Sequence, residues 1–351
     1  MDTLTHAIVG ATLARATTGK SGDENTIPVK TRVWIGGLAA AFPDIDFITA
    51  LINPLTFISD WHRAETHSFV MLPVWALLLG IVFAVTVKRK HQWREFVLIC
   101  GISILSHIFT DLITSWGTEI FAPLSNYRAS WGVTFIIDPY FSLIIFFGLI
   151  IALIKNSRLV AQVAVVLLAT YIGFQSLLKL QAHKIGEHYA SENKLLPASV
   201  SALPQPFSPF NWKVIVDAGE NYHVTYVDLF ADENKPLPDK HNTGLLHSIY
   251  YYRPKQQLAW KKYPRFGAGD HVVLAKQVWR QSQFEEYRRF AAYPAFYRID
   301  KTDNNNCVWF MDLRFVIPQR MTPFRYGMCK NKNDQRWQLY RLGRGNEKRL
   351  I

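Results

Sequence analysis

The sequence predicts an all-α polytopic membrane domain, with about four transmembrane helices and two shorter N-terminal helices, followed by an α+β soluble domain. Apolar runs at 69–87, 133–154 and 159–178 are each close to the ~20 residues that an α-helix needs to cross ~30 Å of hydrocarbon. Such runs stop at about residue 180, where charged residues, prolines and aromatics return. We therefore expect a membrane domain at 1–180, a linker at 181–210 and a soluble domain at 211–351.

Two shorter apolar segments, at 4–18 and 33–43, precede these spans. Because both are short for a full crossing, we interpret them as helices that insert partly or pack inside the bundle. Residues Met1 to His6 lack the basic region and the cleavage motif of a signal peptide, so we expect them to be retained.

The second spanning segment, Phe96 to Ile113, carries a stripe of polar residues. These residues are spaced by three or four, which places them on one face of a helix. They are Ser103, His107, Thr110, Asp111 and Thr114. An ionisable pair inside a membrane segment is costly, so function is its default interpretation, with a structural pair that fixes helix contacts as the alternative.

Basic residues concentrate in the short connections at 88–94 and 155–158. Because short loops rich in Lys and Arg remain in the cytoplasm, we expect 62–68, 114–132 and everything after about 180 to lie outside. The net charge of +12 comes without any helix-turn-helix, zinc-finger or RNP-like pattern. We therefore expect membrane lipid rather than nucleic acid as a partner.

The soluble part opens with a proline-rich stretch at 203–209. Alternating apolar residues at 212–216 and 222–227 flank a turn, which predicts a β-hairpin. A further strand is expected at 308–317 and a helix near 281–292. Cys307 and Cys329 would form a disulfide if this domain is exported, but two cysteines leave that question open.

Four clusters of metal-ligand residues fall in the first 111 positions. They are Asp2/His6, Asp44/Asp46, His62/His67 and His107/Asp111. A four-residue offset puts both members of the first and last clusters on one helical face. In 42–46, the proline and the two-residue offset predict extended or turn structure with both carboxylates pointing the same way.

The predicted topology brings the four clusters to the same outer side of the membrane. His62 and His67 precede the first clear span, and His107 and Asp111 end the second, so the two ends are neighbours in an antiparallel pair. Imidazole and carboxylate ligands suit zinc, manganese or iron, and a set larger than four often holds two ions.

The four motifs together resemble the family of inner-membrane, metal-dependent hydrolase-like proteins that includes the bacterial YdjM and YbcI proteins. The resemblance covers about residues 1–180 and rests on the segments 1–6, 42–46, 62–68 and 106–111. It implies a bacterial inner-membrane hydrolase with a divalent cation, zinc foremost, and a helical ligand pattern related to zinc-dependent phospholipase C.

Seven residues are the expected metal ligands. They are His6, Asp44, Asp46, His62, His67, His107 and Asp111. Asp2 and Glu65 are expected to act in proton transfer or to support the ligands. Arg63 and Arg128 are candidates for binding an anionic substrate, or else anchors for lipid headgroups or ion pairs.

A metal of this kind activates water for attack on a phosphoester or other ester, and a site that opens at the bilayer surface favours a lipid or envelope-derived substrate. Asp138 either reaches this site or caps the third span. The alternatives are a metal-binding transporter or sensor, and a structural membrane protein that needs the metal only for folding. No GxSxG elbow, phosphate-binding loop or dinucleotide fingerprint is present.

Overall fold

The computed structural model describes residues 1–19, 27–195, 197–236, 246–301, 305–331, 336–343 and 345–351. The chain divides into two compact units. The first contains Met1–Thr49 and Trp61–Leu177, and the second contains Ala50–Asp60 and Leu178–Ile351. A short piece of the N-terminal half therefore belongs to the same unit as the C-terminal domain.

The α-helices in the described residues are, in chain order, α1 (Thr3–Ala16), α2 (Val29–Ala41), α3 (Pro54–Thr56), α4 (Leu72–Thr86), α5 (Trp93–Leu112), α6 (Pro139–Ile154), α7 (Arg158–Glu192), α8 (His271–Trp279) and α9 (Glu285–Phe290). A 3₁₀ helix continues α2 over Phe42–Leu51, a π-helix covers Phe57–Trp61, and a short 3₁₀ helix covers Glu65–His67.

Three helical segments of the described chain are long and apolar enough to cross a membrane. They are Val29–Leu51, Lys90–Leu112 and Arg158–Glu192; a fourth crossing is counted if Pro54–His67 and Leu72–Thr86, bent by 68°, act as one span. The helical membrane character of this half agrees with the sequence prediction. The segment at 33–43 is longer than expected because the 3₁₀ helix extends it.

The third expected span, 133–154, becomes helical only at Pro139. Asp138 caps this helix, since its side chain accepts hydrogen bonds from the backbone N–H groups of Tyr140 and Phe141. Proline in the first helical position needs no N–H partner, which fixes the start of α6 here. Of the two roles considered for Asp138, the structure shows the cap.

Glycines hold α1 and α2 in close contact. A Cβ atom on Gly10 would lie 2.4 Å from the carbonyl oxygen of Gly36, and one on Gly36 would lie 2.5 Å from Cβ of Ala14. Only residues without a side chain allow two helix backbones to approach in this way. The contact brings the N-terminal turn of α1 beside the C-terminal end of α2.

The segment 42–46 is a 3₁₀ helix, so the extended alternative was wrong and the turn alternative takes the form of successive 3₁₀ turns. Pro43 has no N–H to continue the α-helical hydrogen-bond pattern, and the chain tightens into 3₁₀ turns, which are frequent at helix ends. Asp44 and Asp46 are both buried, while Ile45 between them is half exposed.

The described residues of the second unit form two antiparallel sheets, in the order β1-β2-β3-β4 and β5-β6-β7-β8-β9. The strands are β1 (Ser199–Pro204), β2 (Asn211–Asp217), β3 (Asn221–Asp228), β4 (Lys261–Pro264), β5 (Pro294–Lys301), β6 (Asn305–Asp312), β7 (Tyr326–Asn331), β8 (Trp337–Leu342) and β9 (Lys348–Leu350). The predicted hairpin is confirmed as β2 and β3, which pair Ile215 with Val224.

Several boundaries in this unit differ from the prediction. The segment 181–210 was expected to be a linker but contains the end of α7 and strand β1. The first proline of the proline-rich stretch, Pro204, is the last residue of this strand. Strand β6 ends at Asp312, whose side chain accepts from the backbone N–H of Arg314 and starts a 3₁₀ turn. Helix α8 was not predicted. Cys307 and Cys329 form a disulfide.

Candidate metal centre

His6 lies in the first turn of α1 and is completely buried. Its Nδ1 is 2.9 Å from Oγ1 of Thr110 on α5, and its Nε2 is 3.2 Å from Oδ1 of Asp111. The ring is therefore oriented on one side and presents Nε2 to a carboxylate on the other.

His107 lies on α5 and is also completely buried. Its Nδ1 lies 2.6 Å from the backbone oxygen of Ala40, and its ring stacks on that of His6 with centroids 3.6 Å apart. A carbonyl oxygen only accepts, so Nδ1 carries the hydrogen and Nε2 of the neutral ring carries the lone pair. This Nε2 is 3.5 Å from Oδ2 of Asp111 and 3.7 Å from Oδ1 of Asp44.

His67 and Asp44, each in a 3₁₀ helix, complete the cluster. Nε2 of His67 is 3.4 Å from Oδ2 of Asp111 and 3.7 Å from Oδ1 of Asp44. Nδ1 of His67 lies 2.9 Å from Oγ1 of Thr66. The other oxygen of Asp44 accepts a 2.5 Å hydrogen bond from the hydroxyl of Thr3.

Asp111 is the buried anion at the middle of this cluster. Its two oxygens face the three imidazoles. In addition, Oδ1 contacts the α-amino group of Met1 and a guanidinium nitrogen of Arg63, the latter at 2.7 Å. Arg63 has a positive φ of 61°, a conformation that non-glycine residues rarely adopt, and it also donates to Thr114. This backbone conformation places the guanidinium of Arg63 against Asp111, beside the α-amino group of Met1.

The donor set fits a divalent cation. Among the described residues, Nε2 of His6, His67 and His107 and Oδ2 of Asp111 are buried atoms that make no hydrogen bond. Buried polar atoms are normally satisfied, so a convergent group of four without hydrogen bonds indicates a missing partner. Ligand atoms within 4.8 Å of one another form two overlapping groups, His6/Asp44/His107 and His67/His107/Asp111.

Asp46 and His62 form a separate pair beside this cluster. Nδ1 of His62 is 3.2 Å from Oδ2 of Asp46, which also accepts from the backbone N–H of Arg63 at 3.0 Å. The same oxygen is 3.6 Å from Nδ1 of His67. The structure therefore brings both residues to the site, where the Asp46 oxygens are engaged by His62 and Arg63.

The remaining predicted site residues lie elsewhere or have protein partners. Asp2 caps α1, accepting from both the backbone and the hydroxyl of Thr5, and Glu65 is exposed. Arg128 pairs with Glu119 at 2.9 Å and donates to the backbone oxygen of His62. Hence neither Asp2 nor Glu65 joins the cluster, while Arg63 and Arg128 flank it.

The sequence prediction assigned no role to three hydroxyl groups that contact the cluster, those of Thr110 and Thr66 at imidazoles and that of Thr3 at Asp44. Thr110 was noticed only as part of the polar stripe on α5, and Thr3 and Thr66 were not singled out. The signal for Thr110 was its position four residues from Ser106 and three from His107, on the face that carries the ligands. Such outer partners fix the tautomer and orientation of ligating histidines.

The fold and site define a helical membrane protein with a buried histidine–aspartate cluster suited to a metal ion. The chain belongs to the YdjM inner membrane protein family, whose model matches residues 1–182. This match covers the helical half and all four motifs, and it confirms the resemblance seen in the sequence. The likeness to zinc-dependent phospholipase C stays a prediction.

One curated relative is the uncharacterized protein YfhP of Bacillus subtilis strain 168. It is 26% identical over 144 residues, which are 40% of this chain and 42% of YfhP. The alignment thus spans less than half of either protein. No solved structure matches the chain.

Proposed function

We propose that this protein is a membrane-bound, metal-dependent hydrolase that uses activated water on a phosphoester or other ester substrate. The observation that carries the proposal is the convergence of three imidazole Nε2 atoms and one carboxylate oxygen, all buried and without hydrogen bonds. Such a set is costly to bury unless a cation completes it.

His6, Asp44, His67, His107 and Asp111 would hold the ion, and mixed imidazole and carboxylate ligands suit zinc foremost. Two overlapping ligand groups that share His107 accommodate one ion or two. A divalent cation supplies Lewis acidity, polarises a phosphoryl or acyl oxygen and lowers the pKa of water toward neutrality.

The pair of Asp46 and His62 is suited to accept the proton that the attacking water loses. Asp46 bonds Nδ1 of His62, which fixes the ring and stabilises its protonated form, as a carboxylate does in other acid–base pairs. This assignment replaces Asp2 and Glu65 in the proton-transfer role. Arg63 neutralises Asp111 and keeps a buried Nε without a hydrogen bond, so it remains a candidate for an anionic substrate group.

A lipid or envelope-derived substrate fits the surface around Arg63. The backbone N–H of Glu119 donates to the carbonyl of Arg63, and the loop that follows exposes large apolar side chains. Phe121, Leu124 and Trp131 are 47%, 79% and 49% exposed. Exposed apolar and aromatic groups are typical of the membrane–water interface.

The orientation we propose puts the site and the C-terminal domain on the outer, periplasmic side. It is supported by the basic connections at 88–94 and 155–158 and by the disulfide of Cys307 and Cys329, because disulfides persist in oxidising compartments. In a Cys100→Ala, Val273→Cys variant, whose new thiol replaces a side chain that is 76% exposed, a membrane-impermeant maleimide should label intact cells. Labelling that needs permeabilised cells would contradict this orientation.

Turnover of a generic phosphodiester by detergent-purified protein tests the hydrolase itself. We expect hydrolysis that a chelator abolishes and added Zn²⁺ restores. A catalytically silent protein that nevertheless holds near-stoichiometric metal would argue for the sensor or structural alternative.

A further inference from the structure

Residues 50–60 connect two of the site's motifs but belong to the second unit. Ala50 follows Asp46 by four residues, and Asp60 precedes His62 by two. Two residues span at most ~7 Å even when fully extended. The position of His62 is therefore tied closely to that of Asp60.

Helix α9 holds this segment through two polar contacts. Arg289 binds Asp60 with two parallel hydrogen bonds, Nε to Oδ1 and a terminal guanidinium nitrogen to Oδ2, both 2.9 Å long. One turn away, the hydroxyl of Thr56 donates to Glu286 at 3.1 Å. Paired bonds of this kind fix geometry as well as distance.

Apolar burial and local capping add to the anchor. Leu55, Phe57 and Ile58 are 0%, 6% and 4% exposed. The side chain of Asn53 accepts from the backbone N–H groups of Leu55 and Thr56 and starts α3. The chain then enters the π-helix Phe57–Trp61, a local form that occurs frequently at functional sites. The segment is thus an ordered part of the second unit.

We propose that α9 anchors residues 50–60 so that the C-terminal domain positions the ligand-bearing segments on either side, with Arg289 as the main positioning residue. The inference rests on the proposed function, since it concerns the same metal site. It gives the C-terminal domain a role. A change in that domain alters how well the ligands Asp44 and His67 on the two flanking segments are placed, and so how tightly the site holds its ion.

The test compares Arg289→Gln with a matched control in the full-length, detergent-purified protein. Arg265→Gln is that control, because Arg265 also binds both carboxylate oxygens of an aspartate, Asp217, at 2.9 Å within the same unit. One readout is Zn²⁺ affinity by competition with a chelating dye. The other is hydrogen exchange of backbone amides in 44–67.

We expect Arg289→Gln to weaken Zn²⁺ binding by about two- to fivefold, as suits the loss of one partly exposed ion pair, and to speed exchange in 44–67. Arg265→Gln should change neither readout, and Arg289→Lys should restore part of the affinity.

Affinity and exchange in Arg289→Gln equal to those of the wild type would overturn the inference. If the wild-type protein binds no Zn²⁺, the proposed function fails, and the exchange rate of 44–67 alone then decides whether α9 anchors the segment.

Discussion

The hydroxyl of Thr110 lies 2.9 Å from Nδ1 of His6 and 2.8 Å from the carbonyl oxygen of Ser106. A hydroxyl has one hydrogen, and the carbonyl can only accept it, so the hydroxyl must accept from Nδ1–H of His6. In the neutral ring this leaves the lone pair on Nε2, which points at Asp111. One threonine therefore selects the tautomer that a metal requires.

Thr110→Val should weaken metal binding, because the isosteric side chain cannot orient His6. Loss of such an outer partner typically costs roughly 10- to 100-fold in metal affinity. Thr12→Val is the matched control, since Thr12 is a buried helical threonine whose hydroxyl donates to the carbonyl of Ile8 in the same way. Competition titrations of both variants with Zn²⁺ check this; equal affinities would contradict the role of Thr110.

Asp46→Asn should separate metal binding from catalysis. We expect the ion to remain, because the four buried atoms without hydrogen bonds lie on other residues. Turnover should fall by roughly 100- to 10,000-fold, the usual contribution of a general base, because His62 loses the carboxylate that orients it. Metal analysis and phosphodiester turnover on the same sample provide the measurement. Loss of the metal together with turnover would instead make Asp46 a ligand, as the sequence first suggested.

Gly36→Ala should force α1 and α2 apart. The new Cβ would lie 2.5 Å from Cβ of Ala14 and 2.6 Å from the carbonyl oxygen of Gly10, and overpacking of this kind costs about 1–3 kcal/mol. His6 on α1 and Asp44 after α2 would then separate, so metal affinity should fall as well.

Gly173→Ala on α7 is the control for this substitution, because its Cβ meets no atom within 4 Å. Alanine is also the better helix former, by up to about 1 kcal/mol. Thermal unfolding in detergent should show a lower midpoint for Gly36→Ala only. A similar midpoint for both variants would contradict the close packing of α1 and α2.

Lys213 should make the C-terminal domain more stable near pH 10 than near pH 7. It is fully buried on β2 and donates to the carbonyl oxygens of Leu313 and Arg314. Burial lowers its pKa from 10.5 to about 7, although the charge of Asp312 opposes the shift. Between these values the unfolded chain binds more protons than the folded one, so the free energy of unfolding rises with pH.

Lys213→Met removes this titration, and the stability difference between variant and wild type should therefore change between pH 7 and pH 10. Thermal unfolding of the C-terminal domain within the full-length protein, followed at several pH values, measures it. Because Met cannot donate to the two carbonyl groups, the slope with pH is the decisive quantity. Parallel curves for the two proteins would contradict a low pKa for Lys213.

Local sequence patterns predicted the helical half and the residues that meet in the cluster, because helical spacing and hydropathy act over a few residues. The convergence of His6, Asp44, His67, His107 and Asp111 followed from spacing plus an assumed topology. The separate role that we propose for the Asp46–His62 pair did not, since it depends on side-chain contacts between distant segments.

Other features depend on long-range packing and left little local signal. The assignment of 50–60 to the second unit arises from contacts with α9, more than 200 positions later in the chain. The 3₁₀ helix at 42–51 continues α2 directly, and the sequence prediction did not extend α2 this far. Pro43 by itself predicts only that the α-helix ends before it. Helix α8 has only nine residues, too few for a clear apolar period.

The metal content of the detergent-purified protein tests the central claim most directly. Elemental analysis should find near-stoichiometric divalent metal, zinc foremost, in the wild type and in His183→Ala, whose side chain is partly exposed on α7. His107→Ala should lose it, because His107 belongs to both ligand groups. A well-folded wild-type protein that contains no metal, and takes up none when Zn²⁺ is supplied, would contradict the account.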